Sequence, residues 1–290
     1  MNSAEKQSSS EVEIGKKTID LEELIRSKNP GLLKFLPKFL LSYVKRIIHQ
    51  DEINAFLYEH RADDGFEFSS GVVNYFNVKV VIKGMDNIPK SGGAVFASNH
   101  PLGGFDAMVI LDSISKVRRD VKFIVNDILL HLRSLRPLFV GVNKHGKNSV
   151  QMLEDIDNAY ASEEAIFIYP AGLVSRKQDN GKIEDLEWKK SFITKAKKHK
   201  RMVIPLYVDG RNSNRFYNLS RWRTKLGIKA NIEMFFLADE MFRQRDKTIT
   251  VIFGKPISYE TFDASKSDLQ WAQEVKKIVY RLAESKNTLG

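Results

Sequence analysis

The chain has 290 residues, 42% hydrophobic and 28% charged, a balance that supports one large domain, or a domain with a small appendage, and excludes gross disorder. It contains no cysteine, which removes disulfides, thiolate metal sites and a cysteine nucleophile. Its formal net charge of +10 favours a partner with a negative surface, whether anionic lipid, nucleic acid or an acidic carrier protein.

The first 15 or so residues are polar and of mixed charge where a secretory signal needs an apolar stretch, so they read as a disordered tail. Residues 16–61 form a helical, amphipathic region. Within it, Gly31 to His49 places Leu32, Leu33, Leu36, Phe39, Leu40, Tyr43, Val44 and Ile47 at three- and four-residue steps. Lys34, Lys38, Lys45 and Arg46 surround that apolar face, and Pro37 breaks or kinks the helix. Two readings stand: a helix lying in the lipid headgroup layer, or a helix packed on the core. No segment reaches the ~18 uncharged apolar residues of a spanning helix.

From residue 62 to 290 the pattern alternates between β-branched runs and helical periodicity, which predicts one α/β domain. Strands are expected at Asn77–Ile82, Ala94–Ala97, Lys122–Val125, Ala165–Tyr169, Val203–Val208 and Thr248–Phe253. Helices are expected at Asp106–Ser115, Ser149–Ala161, Trp188–Lys198 and Ser267–Ser285. Between Arg211 and Gln244, basic residues interleave with Phe216, Tyr217, Trp222, Phe235, Phe236 and Phe242. That mixture is open to three readings: a membrane-interface surface, a nucleic-acid groove, or helices packed on the sheet. No standard nucleic-acid-binding signature is present, so no nucleic-acid partner is expected. The six histidines lack metal-ligand spacing, so no metal is expected either.

The most informative stretch is Ala94 to Met108, AVFASNHPLGGFDAM, in which a short strand runs into a loop carrying His100 and reaches Asp106 at a helix start. Histidine suits general-base work near neutral pH, and an aspartate on its second ring nitrogen fixes the tautomer and stabilises the imidazolium. On a continuous helix the two side chains would point about 240° apart. Pro101, Gly103 and Gly104 predict a tight loop instead, able to fold Asp106 back onto His100. The same residues also read as a surface histidine and a helix-capping aspartate.

Five blocks in order bear on that choice: Ser98-Asn99-His100 with Asp106, then Phe139 to Lys144 (FVGVNK), Tyr169 to Arg176 (YPAGLVSR), Val203 to Pro205 with Gly210, and Phe253 to Pro256 (FGKP). Together they resemble the glycerolipid acyltransferase family of lysophosphatidic-acid type over about residues 75–260. The five residues between His100 and Asp106, one more than that family's usual four, resemble its lyso-ornithine-lipid and glycine-lipid O-acyltransferase subgroup. The resemblance implies an acyltransferase domain with a mixed central sheet flanked by helices. It also implies catalysis by His100 and Asp106, and substrate contacts from Asn99, Gly103, Gly104, Lys144, Pro170, Gly172, Ser175 and Arg176. The expected donor is acyl carrier protein or coenzyme A thioester with no further cofactor. The expected acceptor is a lyso-lipid, and the expected location is peripheral, on the cytoplasmic face of the cell membrane.

Two departures refine this. Lys144 stands for the family's arginine in the second block, a point charge in place of a two-pronged fork. In the third block Ala171, Leu173 and Val174 replace glutamate, threonine and arginine; the lost arginine is the natural phosphate clamp, which favours an acceptor without a phosphate, such as a monoacylated amino-acid lipid. Arg176, Lys144 or Lys177 could still supply positive charge, so lysophosphatidic acid stays the alternative acceptor, and a basic membrane- or nucleic-acid-binding protein the alternative outside the enzymes. The expected reaction is direct transfer with oxyanion donors near Gly172. Ser98 and Ser175, outside any Gly-x-Ser-x-Gly context, are expected to be hydrogen-bonding loop residues.

Overall fold

The computed structural model describes residues 19–28, 37–126, 129–130, 132–142, 149–228 and 231–284. Lys144, the expected tail and the first part of the amphipathic stretch lie outside them. The chain divides into two compact units, residues 1–59 and 60–290.

In the first unit, α1 (Leu21–Lys28) starts where Asp20 accepts the Glu22 and Glu23 N–H groups. It is pinned to α3 (Gln50–Glu59) by Gln50, whose side chain accepts from Leu21 N, and by Asn54, which pairs with the Ile19 backbone in both directions. Between them α2 (Lys38–Ile47) begins immediately after Pro37, which is its N-cap. No residue of α2 is buried, and Phe39 is 76% exposed. No described helix is long and apolar enough to cross a membrane.

The second unit is built on a seven-stranded sheet. Its strands are β1 (Lys79–Lys83), β2 (Ala94–Ser98), β3 (Val121–Asn126), β4 (Phe139–Val142), β5 (Ala165–Ile168), β8 (Met202–Asp209) and β9 (Thr248–Phe253). They lie in the order β1-β9-β8-β2-β5-β3-β4. All neighbours are parallel except β8 and β9, so β1 and β9 run against the other five. The sheet is thus mixed and mostly parallel. A separate two-stranded ribbon pairs β6 (Arg176–Lys177) with β7 (Ile183–Glu184).

The central strands read as unbroken apolar runs because both faces are covered. On one face Phe96, Phe167 and Phe123 stack across β2, β5 and β3 at 4.4 and 4.7 Å. Helix α5 (Gly104–Ile114) is almost wholly buried, and its Phe105 meets Phe76, at the end of α4 (Gly65–Tyr75), edge to face at 5.4 Å. On the other face Val95, Ala97, Ile166 and Val203 form one core with α7 (Ser191–Lys198) and α10 (Asp268–Glu284), together with the fully buried Trp188. Helix α6 (Val150–Ala161) is capped by Ser149. The stretch from Arg211 to Gln244 becomes α8 (Asn214–Lys225), a 3-10 turn (Ile232–Phe236) and α9 (Leu237–Phe242).

Candidate active site

Strand β2 ends at Ser98, and the loop beyond it is held by side-chain bonds in place of strand pairing. The Asn99 amide continues the ladder: its Nδ2 donates to Val208 O at 2.9 Å and its Oδ1 accepts from Val208 N at 2.8 Å. With both ends occupied and only 2% of its surface exposed, Asn99 ties the loop to β8. The chain then turns through Pro101 and Leu102 to Gly103, whose φ of 72° and ψ of −138° suit glycine and put it against Leu237 and Val174. Leu102 lies so close to Gly210 that a β-carbon there would fall 2.6 Å from it, which explains the glycine after β8.

This loop brings His100 and Asp106 together, His100 Nδ1 to Asp106 Oδ2, at 2.9 Å. Asp106 lies in the first turn of α5 and also accepts from Leu102 N at 3.0 Å, so it holds the loop and the imidazole at once. The carboxylate can only accept, so Nδ1 carries the proton and Nε2 is left as the basic nitrogen. Asp106 is fully buried, whereas the His100 side chain is 17% exposed. Burial pushes the Asp106 carboxyl above its ordinary range; the His100 and Leu102 hydrogen bonds pull it back in part, and the nearby Asp185 adds to the upward push.

The imidazole stacks on Tyr169 with ring centroids 4.0 Å apart and 21° between planes. The Tyr169 hydroxyl is buried without a hydrogen-bond partner among the described residues. Burial, reinforced by the charges of Asp106 and Asp185, raises its pKa well above the usual phenol value, so it stays protonated. Asp185 is the hub behind the pair. It accepts from His100 N at 3.2 Å, Ser175 Oγ at 2.6 Å and Trp188 Nε1 at 2.9 Å, while its own N–H is held by the Tyr280 hydroxyl at 2.7 Å. Ser175 N donates to His100 O at 2.8 Å, which sets the third block directly against the first. Neither Tyr169 nor Asp185 stands out by pattern. Asp185 sits in KIEDLEWKK, which reads as a solvated charged run, and its distance of ten residues from Ser175 matches no spacing rule.

The other expected site residues separate into three groups. Ser175 and Pro170 are buried, and the Pro170 carbonyl accepts from Lys189 N, so both shape the loop. Gly104 is exposed with open space around it. Gly172 is exposed too, and its own N–H is donated to Tyr169 O at 2.9 Å. Arg176 departs furthest: it is 7% exposed and its guanidinium is directed inward. Its Nη2 donates to Glu233 Oε1 at 2.8 Å, its Nη1 donates to Val174 O at 2.6 Å, and it lies 5.2 Å over the Phe216 ring. Arg223 shares the carboxylate, its Nε 2.8 Å from Glu233 Oε2, as an ion pair without the direction of a hydrogen bond. Arg176 is thereby tied to the interior by Glu233, the Val174 carbonyl and Phe216. Val174 is 1% exposed in an apolar cluster with Phe216 and Tyr217, a setting that has no place for an unpaired charge. Ser98 bonds the Asn99 carbonyl, so both serines act as hydrogen-bonding residues. Among the described residues no cluster of His, Asp or Glu has the arrangement of a metal site.

A family model described as acyltransferase matches residues 23–289. The chain is 48% identical to the lyso-glycine lipid O-acyltransferase of Bacteroides thetaiotaomicron over 265 residues, covering 91% of this chain and 97% of that protein. It is 44% identical to the lyso-glycine lipid O-acyltransferase of Phocaeicola vulgatus, covering 91% and 95%. Among solved structures it resembles PlsC, the 1-acyl-sn-glycerophosphate acyltransferase of Thermotoga maritima, at 18% identity and a TM-score of 0.45, covering 84% of this chain and 92% of that one. Matched by the family model along nearly its whole length, the chain belongs to the acyltransferase family and is an enzyme of that class.

Proposed function

We propose that this acyltransferase moves a fatty acyl group from a thioester, acyl carrier protein or coenzyme A, to the hydroxyl of a lyso-glycine lipid in membrane-lipid biosynthesis. The observation that carries the chemistry is the hydrogen bond from His100 Nδ1 to the buried Asp106 carboxylate. It leaves Nε2 as the base. The acceptor hydroxyl oxygen attacks the thioester carbonyl carbon while its proton passes to Nε2. Asp106 steadies the resulting imidazolium, and the electron-rich face of Tyr169 lies against it. The tetrahedral intermediate then expels the thiolate, which takes the proton from Nε2 and leaves as the free thiol. No acyl-enzyme is required.

The acceptor assignment is supported by the two relatives and by the third block. Val174 is packed among apolar side chains and Arg176 is closed onto Glu233, so neither supplies the cation that a glycerol phosphate would call for. The location proposed is the cytoplasmic face of a membrane, held peripherally. The exposed Phe39, Leu40 and Tyr43 of α2, beside Lys45 and Arg46, support a docking role for the first unit.

One assay tests the reading: lyso-glycine lipid and lysophosphatidic acid offered side by side, each with acyl carrier protein and coenzyme A donors. The expected result is at least ~10-fold higher kcat/KM for lyso-glycine lipid, about 1.4 kcal/mol of discrimination. Preference for lysophosphatidic acid would overturn it.

A further inference from the structure

Helix α8 buries Phe216, Tyr217 and Ser220 and turns the other side outward. Trp222 is 67% exposed and Leu226 69%; four positions apart, they share a face. Ile228, just beyond the helix, is 40% exposed, and Phe235, in the 3-10 turn that packs against α8, is 63% exposed. An isolated exposed apolar residue needs no explanation, but four large ones between positions 222 and 235, a tryptophan among them, mark a surface with an occupant.

The charges narrow the choice. From Asn214 to Ile228 the sequence carries Arg215, Arg221, Arg223 and Lys225 and no Asp or Glu. Arg223 is taken up by Glu233 and Arg215 lies 5.0 Å over the Phe236 ring, which leaves Arg221 and the exposed Lys225 beside the apolar residues. Tryptophan with aliphatic side chains and flanking cations is the pattern of a surface seated in anionic headgroups: the rings sit at the headgroup level and the cations meet phosphate. Leu226 and Ile228 offer a nucleic acid nothing to stack on.

A series of bonds, exposed at the surface and buried further in, connects this surface to the catalytic loop. Arg223 Nη1 donates to Ile228 O at 2.7 Å and pairs with Glu233. Glu233 receives Arg176, Arg176 donates to Val174 O, and the next residue, Ser175, donates to His100 O. Leu237, just past the same turn, faces Gly103 in the His100 loop.

We propose that Trp222, Leu226, Ile228 and Phe235 form the membrane-docking face of the catalytic unit, seating it on anionic lipid so that the acceptor meets His100 at the bilayer surface. The proposal rests on the reading of the acceptor as a lyso-lipid, but its test is separate.

Full-length protein is floated with vesicles of phosphatidylcholine alone or with phosphatidylglycerol added. Wild type binds the anionic vesicles; Trp222→Ala/Phe235→Ala binds them at least ~10-fold more weakly, since both large apolar side chains lose their burial in the bilayer surface. Lipids brominated on the acyl chain quench the fluorescence of wild type more than that of Trp222→Phe, because Trp188, another of the three tryptophans, is fully buried. Turnover of a short-chain, water-soluble acceptor stays within about 2-fold in the double variant. Unchanged vesicle affinity together with equal quenching overturns the proposal. So does a double variant that loses self-association or single-stranded DNA binding while keeping vesicles. If the vesicle results hold and lyso-glycine lipid is not acylated, the docking face stands and the acceptor assignment falls.

Discussion

At Asp106 one of the two expectations holds: the helix takes Gly103 as its N-cap with no side-chain cap, and the Asp106 carboxylate, in the first turn, accepts instead from the ring of His100 and from the N–H of Leu102 in the loop before the helix. Pro101, Gly103 and Gly104 make the return loop legible in sequence. The partners behind it are not legible, because a bond such as His100 N to Asp185 spans 85 positions and leaves no periodic trace. Tyr169 is the most informative single position. Its ring supports His100, while its hydroxyl is buried without a partner among the described residues, and a buried unsatisfied polar group costs about 1–3 kcal/mol. Tyr169→Phe is therefore expected to raise stability by about 1 kcal/mol in urea unfolding and leave kcat within about 2-fold. Tyr169→Leu, which removes the aromatic face, should lower kcat about 10-fold with little change in KM. A large loss of activity in Tyr169→Phe would assign the phenol a chemical role that its lack of partners argues against.

Among the elements, strands are the most legible. Thr248–Phe253 has the bounds expected, and Ala94–Ala97 and Val203–Val208 differ by a residue at one or both ends, since buried parallel strands announce themselves as apolar runs. Phe139–Val142 shows in sequence only as a motif, being short and interrupted by Gly141, and the ribbon of Arg176–Lys177 with Ile183–Glu184 is too brief to show a pattern. The partner of Arg176 is hidden for an electrostatic reason. An arginine in a glycine-containing loop reads as a ligand clamp until its counter-charge is known, and Glu233 lies 57 positions away. Glu233 is fully buried between Arg176 and Arg223. Glu233→Ala should destabilise the protein by about 3–5 kcal/mol, seen as a lowered urea midpoint, because it leaves two guanidinium groups inside without a carboxylate. A variant as stable as wild type would mean that the pair does not brace the third block.

Across the whole catalytic unit, the sheet order explains why chemistry gathers where it does. Strands β2, β5 and β8 are mutual or near neighbours and parallel, so the segments leaving them, with His100, Tyr169 and Gly210, emerge at one edge. Strand β9 runs oppositely beside β8, with β1 outside it, so neither places its exit there. Sequence blocks more than 100 positions apart are thereby neighbours, with Asn99 locked to Val208 and Asn212 donating to Pro101 O. The central claim is that this edge presents one base, His100, to a lipid hydroxyl. Transfer of a radiolabelled acyl chain from thioester to lyso-glycine lipid, compared between wild type and His100→Ala of matched stability, tests it most directly. The account predicts that kcat falls by about 10²–10⁴-fold while the protein still unfolds as one cooperative unit. Turnover within a few-fold of wild type would contradict it.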